Sequence, residues 1–176
     1  MTLSEEVKKH IRNVADFPKP GIQFKDITTL LVRPELNERV ISEFSEEVGR
    51  LEPDAIIGIE SRGFLFGLAL ANRLHLPFIP IRKHGKLPYK VISETYDLEY
   101  GTARIEMHTD AFTENSKLYI HDDVLATGGT ADAAAELVKK LNGQVVGFGF
   151  LAEFSSLGGR EKISSHCNEI YSVVKY

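Results

Sequence analysis

Apolar residues along the chain recur with two periods, and their alternation predicts the fold. Leu3, Val7, Ile11 and Val14 fall at helical spacing, so an amphipathic helix is expected to open the chain. A second stripe, Leu36, Val40, Ile41, Phe44, Val48 and Leu51, is introduced by Pro34, a residue suited to a first helical turn. Residues 55–59 form a continuous apolar run, the pattern of a strand buried on both faces, and 64–74 read as a mostly buried helix. Further strands are expected at 76–81, 118–120, 144–151 and 169–174. Helical spacing returns over 131–141, where Asn142-Gly143 supplies a stop. Residues 91–100 alternate acids in a β-like way, and 103–108 are expected to pair as an antiparallel edge. Strand–helix alternation of this kind predicts one α/β domain over 1–176, with a central parallel sheet of about five strands flanked by helices.

Chemistry concentrates where the strand at 118–120 hands over to the following helix. Asp122 and Asp123 come first, then a small-residue turn, Ala126, Thr127, Gly128, Gly129 and Thr130. A glycine turn entering a helix aims unpaired backbone N–H groups at one spot, and the helix dipole adds partial positive charge there. Ionised carboxylates only accept hydrogen bonds, so they suit the donors of a sugar diol. Neighbouring strand residues face opposite sides, so the two acids are expected to serve one ligand only if the strand has ended before them. Cradle and diol holder together describe a ribose 5-phosphate site. The plainer alternative is an ordinary strand-to-helix turn with a solvated acidic pair, and the order acids, turn, helix favours the site. Neither G-x-x-x-x-G-K-[ST] nor a post-strand G-x-G-x-x-G is present.

Composition narrows the class. A chain of 176 residues with 43% hydrophobic content can bury a core, and a net charge of −4 argues against a general nucleic-acid binder. The lone Cys167 allows no internal disulfide and suits a reducing compartment. No apolar run approaches the roughly 18 residues of a membrane span, and residues 1–9 lack a signal-peptide core, so a cytoplasmic protein is expected. His166-Cys167 and the scattered histidines lack the spacing of a metal site.

His-Asp-Asp-Val-Leu-Ala-Thr-Gly-Gly-Thr at 121–130 resembles the phosphoribosyl-pyrophosphate (PRPP) signature of the type I phosphoribosyltransferases, and its Ala-Thr-Gly-Gly-Thr form resembles the adenine-using members in particular. His121 departs from the aliphatic residue usual there, and a side chain facing away from the ligand is expected. Glu60-Ser61-Arg62-Gly63 resembles the family's pyrophosphate loop, and Arg82-Lys83 with Gly85-Lys86-Leu87-Pro88 its mobile lid, expected over about 82–103. Tyr89-Lys90 replaces the Gly-Glu of many relatives. Leu98-Glu99-Tyr100-Gly101, Ala152-Glu153-Phe154 and Leu157-Gly158-Gly159-Arg160-Glu161-Lys162 also resemble the adenine enzymes, so the likeness runs from about 16 to 162.

The resemblance implies a type I phosphoribosyltransferase-like fold with a small N-terminal hood over about 1–32, and an enzyme of purine salvage that joins adenine to PRPP, giving AMP and pyrophosphate. It implies that Ala126 to Thr130 take the 5-phosphate and that Asp122 and Asp123 take the ribose hydroxyls. Ser61, Arg62, Arg82, Lys83 and Lys86 would meet pyrophosphate. Phe24 and Phe154 would sandwich the base, with backbone at Gln23 and Lys25 on its edge. Glu99 would manage the N9 proton. It further implies Mg²⁺ held mainly by PRPP and water, with no certain protein ligand, and a homodimer in which Arg82 reaches toward the neighbour. Two alternatives stay open: another base, or a non-catalytic PRPP-binding regulator. The latter would need a DNA-reading domain or a basic RNA face, and this acidic chain carries neither.

Overall fold

The computed structural model describes residues 1–17, 19–21, 23–97 and 101–176. Its centre is a seven-stranded sheet in the order β5-β6-β4-β3-β7-β8-β9. The strands are β3 (Ala55–Ile59), β4 (Phe78–Lys83), β5 (Val91–Asp97), β6 (Thr102–His108), β7 (Lys117–Leu125), β8 (Gln144–Glu153) and β9 (Ile170–Lys175). The run β4-β3-β7-β8-β9 is parallel throughout, which gives the five parallel strands expected. Beyond it, β6 pairs antiparallel with β4 and β5 with β6, so the expected antiparallel edge is a hairpin that widens the sheet.

Helices cover both faces. On one lie α1 (Leu3–His10), α2 (Thr28–Leu31), α3 (Pro34–Gly49) and α4 (Gly63–Leu74), packed on Ile56, Tyr119 and Leu151 of the sheet. On the other lies α5 (Gly129–Lys140), with Ala134, Leu137 and Val138 against Ile57, Ile120, Phe148 and Phe150, and α6 (Gly159–Ile163) contributes Ile163. Pro34 occupies the first turn of α3, where its missing N–H costs no hydrogen bond.

Several boundaries differ from the periodicity, and three of them bear on the hood and the site. The first helix ends at His10, and Val14 belongs to β1 (Arg12–Ala15), which pairs antiparallel with β2 (Gln23–Asp26), Val14 opposite Phe24. Pairing with the next strand of the chain satisfies this backbone, and that partnership overrides a stripe that merely continues at helical spacing. Helix α5 starts at Gly129, with Gly128 as its cap. Strand β7 runs through both aspartates to Leu125, because β8 continues alongside it, Val124 opposite Ala152 and Leu125 opposite Glu153. The acidic pair is thus inside the strand, not beyond its end.

Chain order reverses between β3 and β7: from β3 the chain steps outward to β4, and later returns to lay β7 on the other side of β3. A reversal of this kind opens a crevice at the carboxyl ends of the two strands. Ser61 and Arg62 follow β3, and the residues from Ala126 follow β7, at that crevice.

Candidate active site

At the end of β7 the chain makes a cradle of about 80 Å³, lined by Asp122 and by residues 124–131. Gly128 has φ of +80°, a left-handed conformation strained for any residue with a Cβ. The main-chain bond from Asp132 N–H to the Gly128 carbonyl (2.9 Å) opens α5, so the N–H groups of Gly129, Thr130 and Ala131 have no helical acceptor. Together with the helix dipole they make the cradle receptive to an anion. Thr130 Oγ1 donates to the Tyr96 hydroxyl (3.1 Å), which ties the cradle to β5.

A second cavity, about 430 Å³, adjoins the first, since Val124 and Ala126 line both. Its other walls include Gln23, Phe24 and Lys25 of β2, Arg62, and Phe154 with Leu157 just past β8. The fold therefore gathers Phe24 and Phe154, far apart in sequence, around one largely apolar space. The Lys25 ammonium turns away to bond Asn13 Oδ1.

Asp122 lines the cradle, and Asp123 pairs with Arg62 of the apolar cavity's wall. Asp122 Oδ1 accepts the Asp123 N–H (2.8 Å), while Asp123, 4% exposed, points its Oδ2 to within 2.9 Å of Arg62 Nε. That contact is an ion pair without hydrogen-bond alignment, so a buried acceptor oxygen keeps its capacity unspent. Burial raises the Asp122 carboxyl well above the ordinary value, and the Asp123 charge adds to the effect. Burial also raises Asp123, against the pull of Arg62. Strand alternation explains the division: Asp122 lines the small cradle, Asp123 faces Arg62, and Arg62 in turn lies over the Phe24 ring, 5.0 Å from its centroid.

Two carboxylates with no role expected from the sequence, Glu60 and Glu106, brace the end of β4 and the turn after it. Glu60 Oε2 accepts from Arg82 Nε (3.1 Å) and from the Lys83 N–H (2.9 Å), and Arg82 also donates to the Lys86 carbonyl (3.0 Å). Burial acts to raise the Glu60 carboxyl, but these donors hold it below its ordinary value. Buried Glu106 accepts from His84 Nδ1 and from the Gly85 N–H (2.9 Å); the His84 bond is the main cause of its lowered pKa. Arg82, Lys83 and Lys86 thus cluster beside the β3 end that carries Ser61. Arg62 does not join them; it faces the apolar cavity and Asp123. Within 82–103, the described residues form a turn and two antiparallel strands. Glu99 lies outside the described residues.

His121 has no part in either cavity. It is fully buried, edge-on to Phe44 at 5.1 Å between ring centroids, and burial lowers its pKa to about 3, so it is a neutral packing residue. Among the described residues no group of three or more His, Cys, Asp or Glu side chains could hold a metal ion.

Comparison with known proteins agrees with this geometry. The model of the phosphoribosyl transferase domain family matches residues 27–175. The chain is 48% identical to an adenine phosphoribosyltransferase of Cytophaga hutchinsonii over 174 residues, 99% of this chain and 96% of the relative. The chain belongs to the adenine phosphoribosyltransferase family. Among solved structures it superposes on the adenine phosphoribosyltransferase of Thermoanaerobacter pseudethanolicus with a TM-score of 0.95 at 45% identity, covering 99% and 100% of the two chains. It also superposes on the Saccharomyces cerevisiae adenine phosphoribosyltransferase complexed with an imino-altritol bisphosphate and adenine, with a TM-score of 0.90 at 36% identity over 97% and 98%.

One feature of this family member was not assigned from the sequence. Gly159, at the start of α6, lies directly behind the cradle: a Cβ there would fall 2.2 Å from the Ala126 carbonyl oxygen and 3.0 Å from the Gly128 nitrogen. The next residue, Arg160, holds buried Glu153 with two guanidinium bonds (2.8 and 2.7 Å), and Ser172 Oγ adds a third (2.7 Å). The Arg160 bonds are the main reason the Glu153 carboxyl lies below its ordinary value. Consecutive glycines at 158 and 159, outside any expected strand-to-helix turn, were the available signal of a close backbone approach.

Proposed function

We propose that this chain transfers the 5-phosphoribosyl group of PRPP to adenine, forming AMP and releasing pyrophosphate. The observation that carries the reading is an apolar cavity that shares Val124 and Ala126 with an anion cradle, with the carboxyl oxygens of Asp122 and Asp123 beside them, a set that suits base, phosphate and ribose. The 5-phosphate is assigned to Ala126, Thr127, Gly128, Gly129 and Thr130, and the ribose hydroxyls to Asp122 and Asp123; because both lie inside β7, Asp122 is assigned the hydroxyl on the cradle side and Asp123 the one beside Arg62. The purine is assigned to the space between Phe24 and Phe154, with the backbone of Gln23 and Lys25 on its edge. A fixed carbonyl and N–H pair there fits the N6 donor and N1 acceptor of adenine. Hypoxanthine and guanine reverse both, at about 1–3 kcal/mol for each mismatched group.

In the reaction, the bond from ribose C1 to a pyrophosphate oxygen breaks, the bond from C1 to adenine N9 forms, and N9 gives up its proton. Positive charge grows at C1 and negative charge on the leaving group, so fixed charges acting on pyrophosphate accelerate the step. Ser61, Arg62, Arg82, Lys83 and Lys86 are assigned to it, and the segment 82–103 to the lid that excludes water. Mg²⁺ fits the donor set: Asp122 and Asp123, two carboxylates beside a polyphosphate site, suit an ion that would keep much of its water and substrate shell. When bound it would neutralise phosphate charge. Glu99 is assigned to the N9 proton. Glu99→Gln is expected to lower kcat several-fold with little change in KM for PRPP; unchanged kcat would pass the proton to water.

A homodimer is part of the proposal. Leu65 and Leu68, one helical turn apart on α4, are 44% and 47% exposed, an apolar strip suited to a second copy. Sedimentation is expected to give twice the chain mass, and a monomer at all concentrations would contradict this. A cytoplasmic location accords with the free Cys167; no described helix is long and apolar enough to cross a membrane.

The test of function is pyrophosphate release from PRPP and Mg²⁺ with each purine base. Release with adenine alone is expected. Equal release with hypoxanthine or guanine would assign another base, and none with any base would leave a PRPP-binding protein without catalysis.

A further inference from the structure

The wall of the base cavity formed by Phe154 has a second aromatic layer behind it. The Tyr176 ring stacks on Phe154, 5.6 Å between centroids at an interplanar angle of 25°. The backbone of Tyr176 also brackets Phe154: its N–H donates to the Glu153 carbonyl (2.9 Å), and its carbonyl accepts from the Ser155 N–H (3.1 Å). Both neighbours of Phe154 are thereby fastened to the residue on which Phe154 rests.

Tyr176 is also joined to the opposite wall. The Lys25 ammonium lies 4.1 Å from its ring centroid, and the Lys8 ammonium of α1 lies 4.7 Å from it. Lys25 is the β2 residue next to Phe24, so a cation–π contact links the strand bearing one aromatic wall to the ring supporting the other. Half-buried rings left without such support would occupy several rotamers, and a binding site pays for ordering them when ligand arrives.

We infer that Tyr176 is a positioning residue for the purine: stacked behind Phe154 and gripped by Lys25, it sets the gap between the Phe24 and Phe154 walls. This rests on the reading of that cavity as the adenine site. Tyr176 is not itself among the residues lining the base cavity, so its effect on the base passes through Phe154 and Lys25.

The experiment is steady-state AMP formation by Tyr176→Ala, Tyr176→Leu and Tyr176→Phe beside the parent chain, with thermal melting of each. For Ala and Leu, KM for adenine is expected to rise about tenfold, while kcat and KM for PRPP stay within about twofold. Phe, which keeps the ring, is expected to match the parent. A merely structural role would lower melting temperature and active fraction and leave KM for adenine unmoved. If Ala does not fold, Leu, which keeps apolar bulk, carries the comparison. An unchanged KM for adenine in a folded Ala or Leu variant overturns the inference, as does a Phe variant as impaired as Leu. A parent that forms AMP from adenine while the variants keep its KM loses only the Tyr176 role; a parent that forms none overturns the adenine reading as well.

Discussion

Gly159→Ala is expected to lower kcat/KM for PRPP by about a hundredfold, the order of loss that a misplacement near 1 Å produces at a reacting site. The added methyl group has nowhere to go. Its position falls 2.2 Å from the Ala126 carbonyl oxygen, 2.9 Å from Leu125 Cδ1 and 3.0 Å from the Gly128 nitrogen, and two of those three atoms are backbone of the cradle. Real Cβ contacts do not come so close, so either α6 retreats or residues 126–128 move. Retreat is resisted by Arg160, the following residue, which is bonded to buried Glu153 and to the Ile170 carbonyl (3.0 Å). Displacement therefore falls on the loop whose N–H groups are assigned to the 5-phosphate. Steady-state kinetics with varied PRPP, alongside a melting curve, reads this directly; a folded variant with parental kcat/KM would show that α6 does not set the cradle.

Asp122→Asn is expected to act in opposite directions on stability and on binding. In the free protein the Asp122 carboxyl is raised well above its ordinary value of 3.8 by burial and by the Asp123 charge, so folding favours the protonated form. That contribution is fully present below the ordinary carboxylate range and is lost as pH rises through the raised folded value. At neutral pH, holding this buried carboxyl beside the Asp123 charge therefore costs the unliganded fold stability, and a neutral Asn removes that cost. Melting temperature of the ligand-free variant should exceed the parent's near pH 7, with the difference shrinking toward acid. PRPP affinity should fall by roughly tenfold to a hundredfold, the range for losing a charged acceptor of hydrogen bonds. Gain of stability with loss of binding is the pattern of a site strained for function. Parental PRPP affinity in the variant would remove Asp122 from the ribose assignment.

The parts of the molecule legible in sequence are those whose physics is local. Residues 55–59 and 144–151 are apolar without interruption because parallel strands are buried on both faces, and their strands follow closely. The cradle is equally local: Gly128 and Gly129, a left-handed turn and a helix start fall within a few consecutive residues. Strand β7 was harder to bound, since His121, Asp122 and Asp123 break its apolar run although β8 keeps the backbone paired beside them. The end of α1 was hidden likewise, because Val14 obeys a helical period while its backbone bonds to β2. Contacts between distant residues left no local trace: Phe24 with Phe154 around one cavity, Glu60 under Arg82 and Lys83, Tyr176 behind Phe154. The contacts of Arg62 with Asp123 and the Phe24 ring belong to the same class, since nothing in the run Glu60 to Gly63 points to them.

The most direct test of the account is a crystal of this chain soaked with AMP. It predicts the phosphate against the N–H groups of residues 126–130, the ribose hydroxyls on Asp122 and Asp123, and the adenine ring between Phe24 and Phe154. A nucleotide bound with its phosphate elsewhere, or with its base outside that cavity, would contradict it.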